Sequence, residues 1–416
     1  MYYDRFIGET NIPIGWVVEC LKKKSEDFRL AIGNSEISNF KVIDICNNLG
    51  FSSRIYKVTI NFVDNQRQPY DIVVKTPGVD NYKKLCESEI ENTLANDEAI
   101  NEEGLALYHY QEMLVYTEML KEIDGLKYPK CYGGKKLIPG KQNGAIIMDD
   151  LSNKGACVPF YIPLNINQIQ NLFKELMKLH VFSYTKGKQW RRKLQNKMEP
   201  NGVNFVKKFI ELQWKVVQKF MPKDKFNEID NIFNRMITHY YDITTHHIFS
   251  LPEAQGENAV IVHGDFWTNN LMFKLDSEGN ITNEVESIID WQVVYEGAVC
   301  LDMARLLSTC VTPEIRHYVE NNIIPNYYQE LKDKVCNGGG EFSMTYENFK
   351  HIYDFCFIDQ SFHSITVTGF MLSHTEIKEE DKNIWDERKS VMSNKIYHAM
   401  KDAYEKAKIL KPEWLI

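Results

Sequence analysis

The most constraining stretch of this sequence lies between Val260 and Gln292. A β-branched run, Val260 to His263, empties into His263-Gly264-Asp265-Phe266-Trp267-Thr268-Asn269-Asn270, and a second run, Leu271 to Leu275, follows at once. The turn Asp276-Ser277-Glu278-Gly279-Asn280 and a third run, Val285 to Asp290, predict a hairpin. That hairpin returns Asp290 toward Asn270, although twenty residues separate them. A carboxylate and an amide oxygen on a rigid hairpin are hard ligands suited to Mg²⁺, which keeps waters and takes its other oxygens from nucleotide phosphates. Asp265 stands on the loop ahead of that pair, where a carboxylate held by flanking strands suits proton acceptance.

Composition narrows the class. The 416 residues are 44% apolar and 25% charged, a globular balance that excludes disordered, collagenous and coiled-coil chains. At roughly 150 residues per domain the length predicts two or three lobes. Asp and Glu outnumber Lys and Arg by 57 to 49, and no basic block offsets the net charge of −8, so nucleic acid is not an expected partner. No run approaches about 18 apolar residues and the opening residues lack a leader pattern, so neither a membrane span nor a secretory signal is expected. Nine cysteines without a Cys-x-x-Cys spacing point to reduced thiols and a cytoplasmic chain.

Pro13 followed by Trp16, Val17, Cys20 and Leu21 predicts an opening helix. Tyr56, Val58, Ile60 and Phe62 alternate with Lys57, Thr59 and Asn61, and Ile72 to Lys75 forms another β-branched run, so an antiparallel meander is expected. Helical spacing covers about 102–120, and further strands are expected at 128–131 and 145–148. From residue 167 the pattern is mostly helical, with Leu172, Phe173, Leu176, Leu179 and His180 on one face. The chain reads as α+β: an antiparallel-sheet N-lobe over 1–148, a hinge at 149–151 and a mostly helical C-lobe over 152–416 that holds the catalytic loop, metal site and acceptor pocket.

His-x-Asp-x-x-x-x-Asn followed by an Asp beyond a hairpin is the phosphoryl-transfer layout of the protein-kinase-like fold, and it calls for a Lys and a Glu upstream. Lys75 shares a strand face with Val73, opposite Ile72 and Val74, from which it can reach a cleft between lobes. Glu112 lies on the stripe of Leu105 and Tyr116, where a carboxylate needs a cation partner.

On these residues the chain resembles the ecdysteroid-kinase-like (CHK kinase-like) small-molecule kinases, relatives of choline kinases and aminoglycoside phosphotransferases. The resemblance spans most of the chain: Gly50-Phe51-Ser52-Ser53-Arg54, Lys75, His109 to Tyr116, His263 to Asn270, Asp290-Trp291-Gln292, Gly297, and Asp302-Met303-Ala304-Arg305-Leu306-Leu307. It implies a bilobal protein-kinase-like fold that uses ATP and Mg²⁺. It implies Asp265 as catalytic base, Asn270 and Asp290 as metal ligands, and Lys75 on the α/β-phosphates with Glu112 as its partner. Gly50, Ser52 and Ser53 would form the phosphate loop, and Met148 and Asp149 would meet adenine through their backbone. The sequence departs from the wider kinase pattern twice, with one glycine in the phosphate loop and Trp-Gln in place of Phe-Gly after Asp290.

Other conspicuous residues have plainer readings. His263 orients the loop through hydrogen bonds, since Asp265 supplies the base. His180 reads as a core histidine, and His246-His247 as a surface pair, because adjacent residues point apart and chelate poorly. Lys186, Lys188, Arg191, Arg192, Lys193 and Lys197 read as a solvated helix, and Asp302 and Arg305 as structural braces.

The expected activity is transfer of the γ-phosphoryl group of ATP to a hydroxyl of a small molecule, and the resemblance suggests a steroid-like or xenobiotic alcohol. Trp190, Trp214, Phe220, Tyr240, Tyr241 and Phe249, then Tyr353, Phe355, Phe357, Phe362 and Phe370, supply flat apolar surface for such an acceptor. Neither segment carries a dense acidic cluster suited to a polycation outside Glu376, Glu379, Glu380 and Asp381, which read as a solvated helix start. A choline or ethanolamine kinase and a non-catalytic, pseudokinase-like binding protein are the alternative readings.

Overall fold

In a computed structural model that describes residues 4–45, 53–78, 102–194, 198 and 200–416, the chain sorts into two compact units. One is Met1–Glu122 with Tyr128–Lys154, and the other is Ile123–Lys127 with Gly155–Ile416. The first unit therefore runs through the segment expected as a hinge, and a pentapeptide ahead of it belongs with the second.

The first unit is built on one antiparallel sheet of β1 (Ile37–Asp44), β2 (Ser53–Phe62), β3 (Tyr70–Pro77), β4 (Cys131–Lys135) and β5 (Ala145–Asp149), in the order β1-β2-β3-β5-β4. Strand alternation puts Tyr56, Val58, Ile60, Phe62, Ile72 and Val74 into one apolar core. Val17, Val18 and Leu21 of α1 (Ile14–Lys24) and Phe28 of α2 (Glu26–Ile32) complete it. The other face receives α3 (Glu102–Thr117). Successive glycines in β4 let both helices approach: a Cβ on Gly133 would lie 2.8 Å from Cys20 Sγ of α1, and one on Gly134 only 2.4 Å from Met113 Cγ of α3. This glycine pair also explains why the strand expected at 128–131 lies at Cys131–Lys135 instead, because glycine carries no β-branched signal.

In the second unit β6 (Gly155–Cys157), β8 (Leu271–Leu275) and β9 (Ile281–Ile288) form a sheet in the order β6-β8-β9, with the expected turn closed by Asp276. A short ladder pairs β7 (Val260–Val262) with β10 (Tyr295–Gly297). The rest is mostly helical. Its helices include α4 (Ile166–Tyr184), which opens with a capping box from Asn165 and Gln168, α5 (Pro200–Val217), α6 (Lys223–Thr238), α7 (Leu301–Thr309), α8 (Tyr346–Ser373) and α9 (Lys382–Leu410). Helix α8 is apolar on nearly every side and is accordingly the central one, packed by α5, α7 and α9. The α+β class expected from the sequence is the one the chain adopts. Among the described residues, no helix is long and apolar enough to cross a membrane.

Packing corrects three local expectations. His247 is buried, with Nδ1 2.9 Å from Asp359 Oδ2, so the histidine pair is not a surface pair. Arg191 is buried too and donates to the Ala259 carbonyl, while Lys186, Lys188, Arg192 and Lys193 around it are exposed. Most aromatics proposed as acceptor walls are spent on the core: Trp190, Trp214, Tyr240, Tyr353, Phe357, Phe362 and Phe370 are buried, whereas Tyr241 and Phe249 are exposed.

Candidate active site

The loop after β7 is fixed first by its backbone. Asp302, fully buried at the start of α7, accepts the His263 N–H at 2.8 Å on one oxygen and the Gly264 N–H at 3.0 Å on the other. Burial pushes this carboxyl up, against the pull of the two N–H donors. Gly264 sits at φ +79°, and a Cβ there would lie 2.4 Å from the Val293 carbonyl oxygen, so both conformation and space demand glycine. His263 ties this loop to the end of the hairpin. Its Nε2 lies 3.0 Å from the Ile289 carbonyl oxygen and its Nδ1 3.2 Å from the Asp265 N–H. A carbonyl only accepts and an amide N–H only donates, so the ring is the neutral Nε2–H tautomer. Trp291, completely buried where many kinases carry Phe, meets the His263 ring edge-on at 4.7 Å.

Asp265 has both oxygens engaged. Oδ2 accepts from the Trp267 indole N–H at 3.2 Å and from Asn270 Nδ2 at 2.8 Å, while Oδ1 accepts from Arg305 Nη1 at 2.6 Å. Asn270 Nδ2 also donates to the Asp265 carbonyl at 2.8 Å. Both partners of that nitrogen are acceptors, so the amide orientation is dictated and Oδ1 is the atom left for a cation. Hairpin pairing joins Leu271 to Ile288, and the Ile289 N–H bonds the Asn270 carbonyl at 3.0 Å, which brings Asp290 to the side of Asn270. Asp290 itself is left-handed, at φ 64° and ψ 63°. Among the described residues no three His, Cys, Asp or Glu side chains gather to hold a metal. An ion here would therefore take Asn270 Oδ1 and the Asp290 carboxylate and complete its shell with phosphate and water oxygens, a donor set that fits Mg²⁺.

Arg305 was read from sequence as a brace, yet it touches Asp265. The signal was present in Asp302 to Leu307, but nothing in the spacing shows where an arginine on a helix will point. His363 of α8 was missed altogether. Its Nε2 lies 4.0 Å from Asp265 Oδ1, is buried and makes no hydrogen bond, and its ring meets Trp267 edge-on at 5.9 Å. Burial, with Arg305 beside it, holds this imidazole well below its ordinary value.

In the first unit, Lys75 of β3 pairs with Glu112 of α3 at 2.7 Å, both buried, on the sheet face opposite Ile72 and Val74. Each charge thereby has the partner that burial requires. Ser53 opens β2 and is buried, whereas Gly50 and Ser52 lie outside the described residues. Met148 is held in β5 opposite Val73 and Cys131. The Asp149 N–H is engaged by the Lys130 carbonyl at 3.1 Å, and its carboxylate accepts from Tyr132.

The family model described as "Uncharacterized oxidoreductase dhs-27" (DUF1679) matches residues 29–408. A Caenorhabditis elegans protein named Uncharacterized oxidoreductase dhs-27 is 29% identical over 406 residues, covering 94% of this chain, and the chain spans 46% of that relative's length. Among solved structures, the ADP-bound aminoglycoside phosphotransferase APH(2'')-Ib is 14% identical with a TM-score of 0.39, over 91% of this chain and 99% of its own. Choline kinase LicA from Streptococcus pneumoniae is 11% identical with a TM-score of 0.34, over 90% and 99%. With a family model that spans most of its length, the chain belongs to the DUF1679 family, an ecdysteroid-kinase-like family.

Proposed function

We propose that this chain is an ATP-dependent phosphotransferase acting on a hydroxyl of a small molecule. The observation that carries the reading is the orientation of Asn270, whose amide hydrogens fall on Asp265 and so leave its oxygen available on the hairpin that returns the chain to Asp290. Asp265 would then serve as proton acceptor and Asn270 with Asp290 as a hard-oxygen pair, the two requirements of phosphoryl transfer to an alcohol. Asp265 accepts the proton of the acceptor hydroxyl as its oxygen bonds to the γ-phosphorus and the bond to the β-phosphate oxygen breaks. Asn270 and Asp290 would hold Mg²⁺, which when bound neutralises phosphate charge. Lys75, kept in place by Glu112, meets the α/β-phosphates. The seven described cysteines are free thiols, which suits a reducing, cytoplasmic compartment.

The acceptor we favour is an uncharged, apolar alcohol such as a steroid or xenobiotic. The flank of Asp265 carries a guanidinium, an indole and a neutral imidazole, and Met371 lies against the adjoining Asn269. A cation at that position opposes choline or an aminoglycoside. Hydride chemistry finds no support in this stretch, since no Gly-x-Gly-x-x-Gly occurs anywhere in the chain. The test is transfer of labelled γ-phosphate from MgATP to a steroid alcohol, choline and an aminoglycoside. Transfer to the alcohol is expected, and Asp265→Asn should lower kcat about 10²–10⁴-fold with the KM for ATP preserved. An unchanged Asp265→Asn rate, or no transfer to any acceptor, rejects the reading.

A further inference from the structure

A line of buried hydrogen bonds leads away from Asp265 to a region with no part in the proposed chemistry. Arg305 of α7 donates through Nη1 to Asp265 Oδ1 at 2.6 Å and through Nε to Gln360 Oε1 of α8 at 2.7 Å. Gln360 Nε2 donates in turn to Asp359 Oδ2 at 2.6 Å. Asp359 Oδ1 accepts from Thr244 Oγ1 at 2.6 Å, and His247 Nδ1 stands 2.9 Å from Oδ2. Gln360, Asp359, Thr244 and His247 are all buried.

We infer that Arg305 is a positioning residue that aims the Asp265 carboxylate, with Gln360 and Asp359 anchoring its guanidinium to the 240–250 segment. A guanidinium is planar, and fixing it at both Nε and Nη1 sets its plane and therefore the place of the hydrogen bond it offers. The Asp265 carboxylate is then held on one oxygen by its own loop, through Trp267 and Asn270, and on the other by a helix that the loop does not contain. Two independent holds set the torsion of a carboxylate that one hold would leave free to swing. Without the second, Asp265 keeps its chemistry and loses its aim. The backbone hold from Asp302 does not replace it, because Asp302 binds only the amides of His263 and Gly264.

This inference rests on the phosphotransferase reading, and the experiment separates the two. The full chain and its Arg305→Ala, Arg305→Lys and Gln360→Met variants are assayed for MgATP hydrolysis with water as acceptor, with and without millimolar guanidinium. Arg305→Ala is expected to lose about 10²-fold in kcat, the scale of a misplaced reacting group, while the KM for MgATP stays within about twofold. Added guanidinium should restore part of the rate to Arg305→Ala and none to wild type. Lysine should rescue poorly, since its three N–H donors share one tetrahedral nitrogen and cannot reproduce the planar Nε and Nη1 pair that reaches Gln360 and Asp265 together. Gln360→Met should lose less and add nothing to Arg305→Ala in the double variant, because both act through one contact. A wild-type rate in Arg305→Ala, or additive losses, overturns the inference. Should Arg305→Ala fail to fold, Gln360→Met decides by its own, smaller kcat loss at constant KM, and a wild-type rate there overturns the inference. If wild type neither hydrolyses MgATP nor transfers phosphate to any of the three acceptors, the phosphotransferase reading falls alone. The crystal structure of Gln360→Met then judges the inference: a displaced Asp265 carboxylate upholds it, and an unmoved one overturns it.

Discussion

A positive φ on a residue other than glycine costs about 1–2 kcal/mol, and among the described residues Asp290 alone carries one. The strain falls on the carboxylate proposed to bind metal, so backbone stability and ligand placement conflict at one residue. Asp290→Gly should stabilise the fold by up to about 1 kcal/mol and abolish Mg²⁺-dependent ATP binding. Chemical denaturation alongside a nucleotide titration checks both halves, and retained Mg²⁺-dependent binding would sink the ligand assignment. Gly264 shows the opposite case, a left-handed residue for which no side chain has room. Gly264→Ala should cost about 1–3 kcal/mol and lower turnover together, because the clash with Val293 displaces the loop that carries Asp265. A loss under about 0.5 kcal/mol would show that the loop gives way easily.

Elements carry these residues through contacts of different legibility. Gly134→Val should push α3 off β4, weaken the Lys75–Glu112 pair and raise the KM for ATP, with about 1–3 kcal/mol lost from stability. An unchanged KM would separate that packing from nucleotide binding. The β2 alternation, the hairpin from Leu271 to Ile288 and the pairing of Asn270 with the end of β9 were legible in the sequence, because period and turn chemistry are local properties. Strand β4 was displaced by a few residues, since its glycines are chosen for the helices on either side and hide the strand pattern. His247 was misread, and the contacts of Arg305 went unforeseen, for a related reason. What each touches lies on another helix, Asp359 for one and Gln360 for the other, and no spacing rule reaches that far.

At the scale of the molecule, acid should loosen both units through their buried histidines. Burial lowers His109, whose Nε2 donates to the Lys135 carbonyl, to about 4, and lowers His180 to about 3 from an ordinary 6.5. Each ring is neutral when folded and takes a proton on unfolding, so its contribution is whole above pH 6.5 and falls as the pH drops toward those values. The slope is about 1.4 kcal/mol per pH unit for each group. Urea midpoints at pH 7, 5.5 and 4.5 should decline accordingly. His109→Gln, which keeps a donor for Lys135, should decline less, and parallel declines would reject the attribution. The pentapeptide Ile123–Lys127 has a consequence for how the chain is made. Its Lys127 amide binds Glu175 and its carbonyl receives the N–H of Ile288, the strand residue just ahead of the Asp290 turn. During synthesis this segment leaves the ribosome well before either partner exists, so the second unit cannot close until β9 has been translated. A gene fragment beginning at Gly155 would encode every helix of that unit and still lack the carbonyl that receives the N–H of the last strand residue ahead of Asp290.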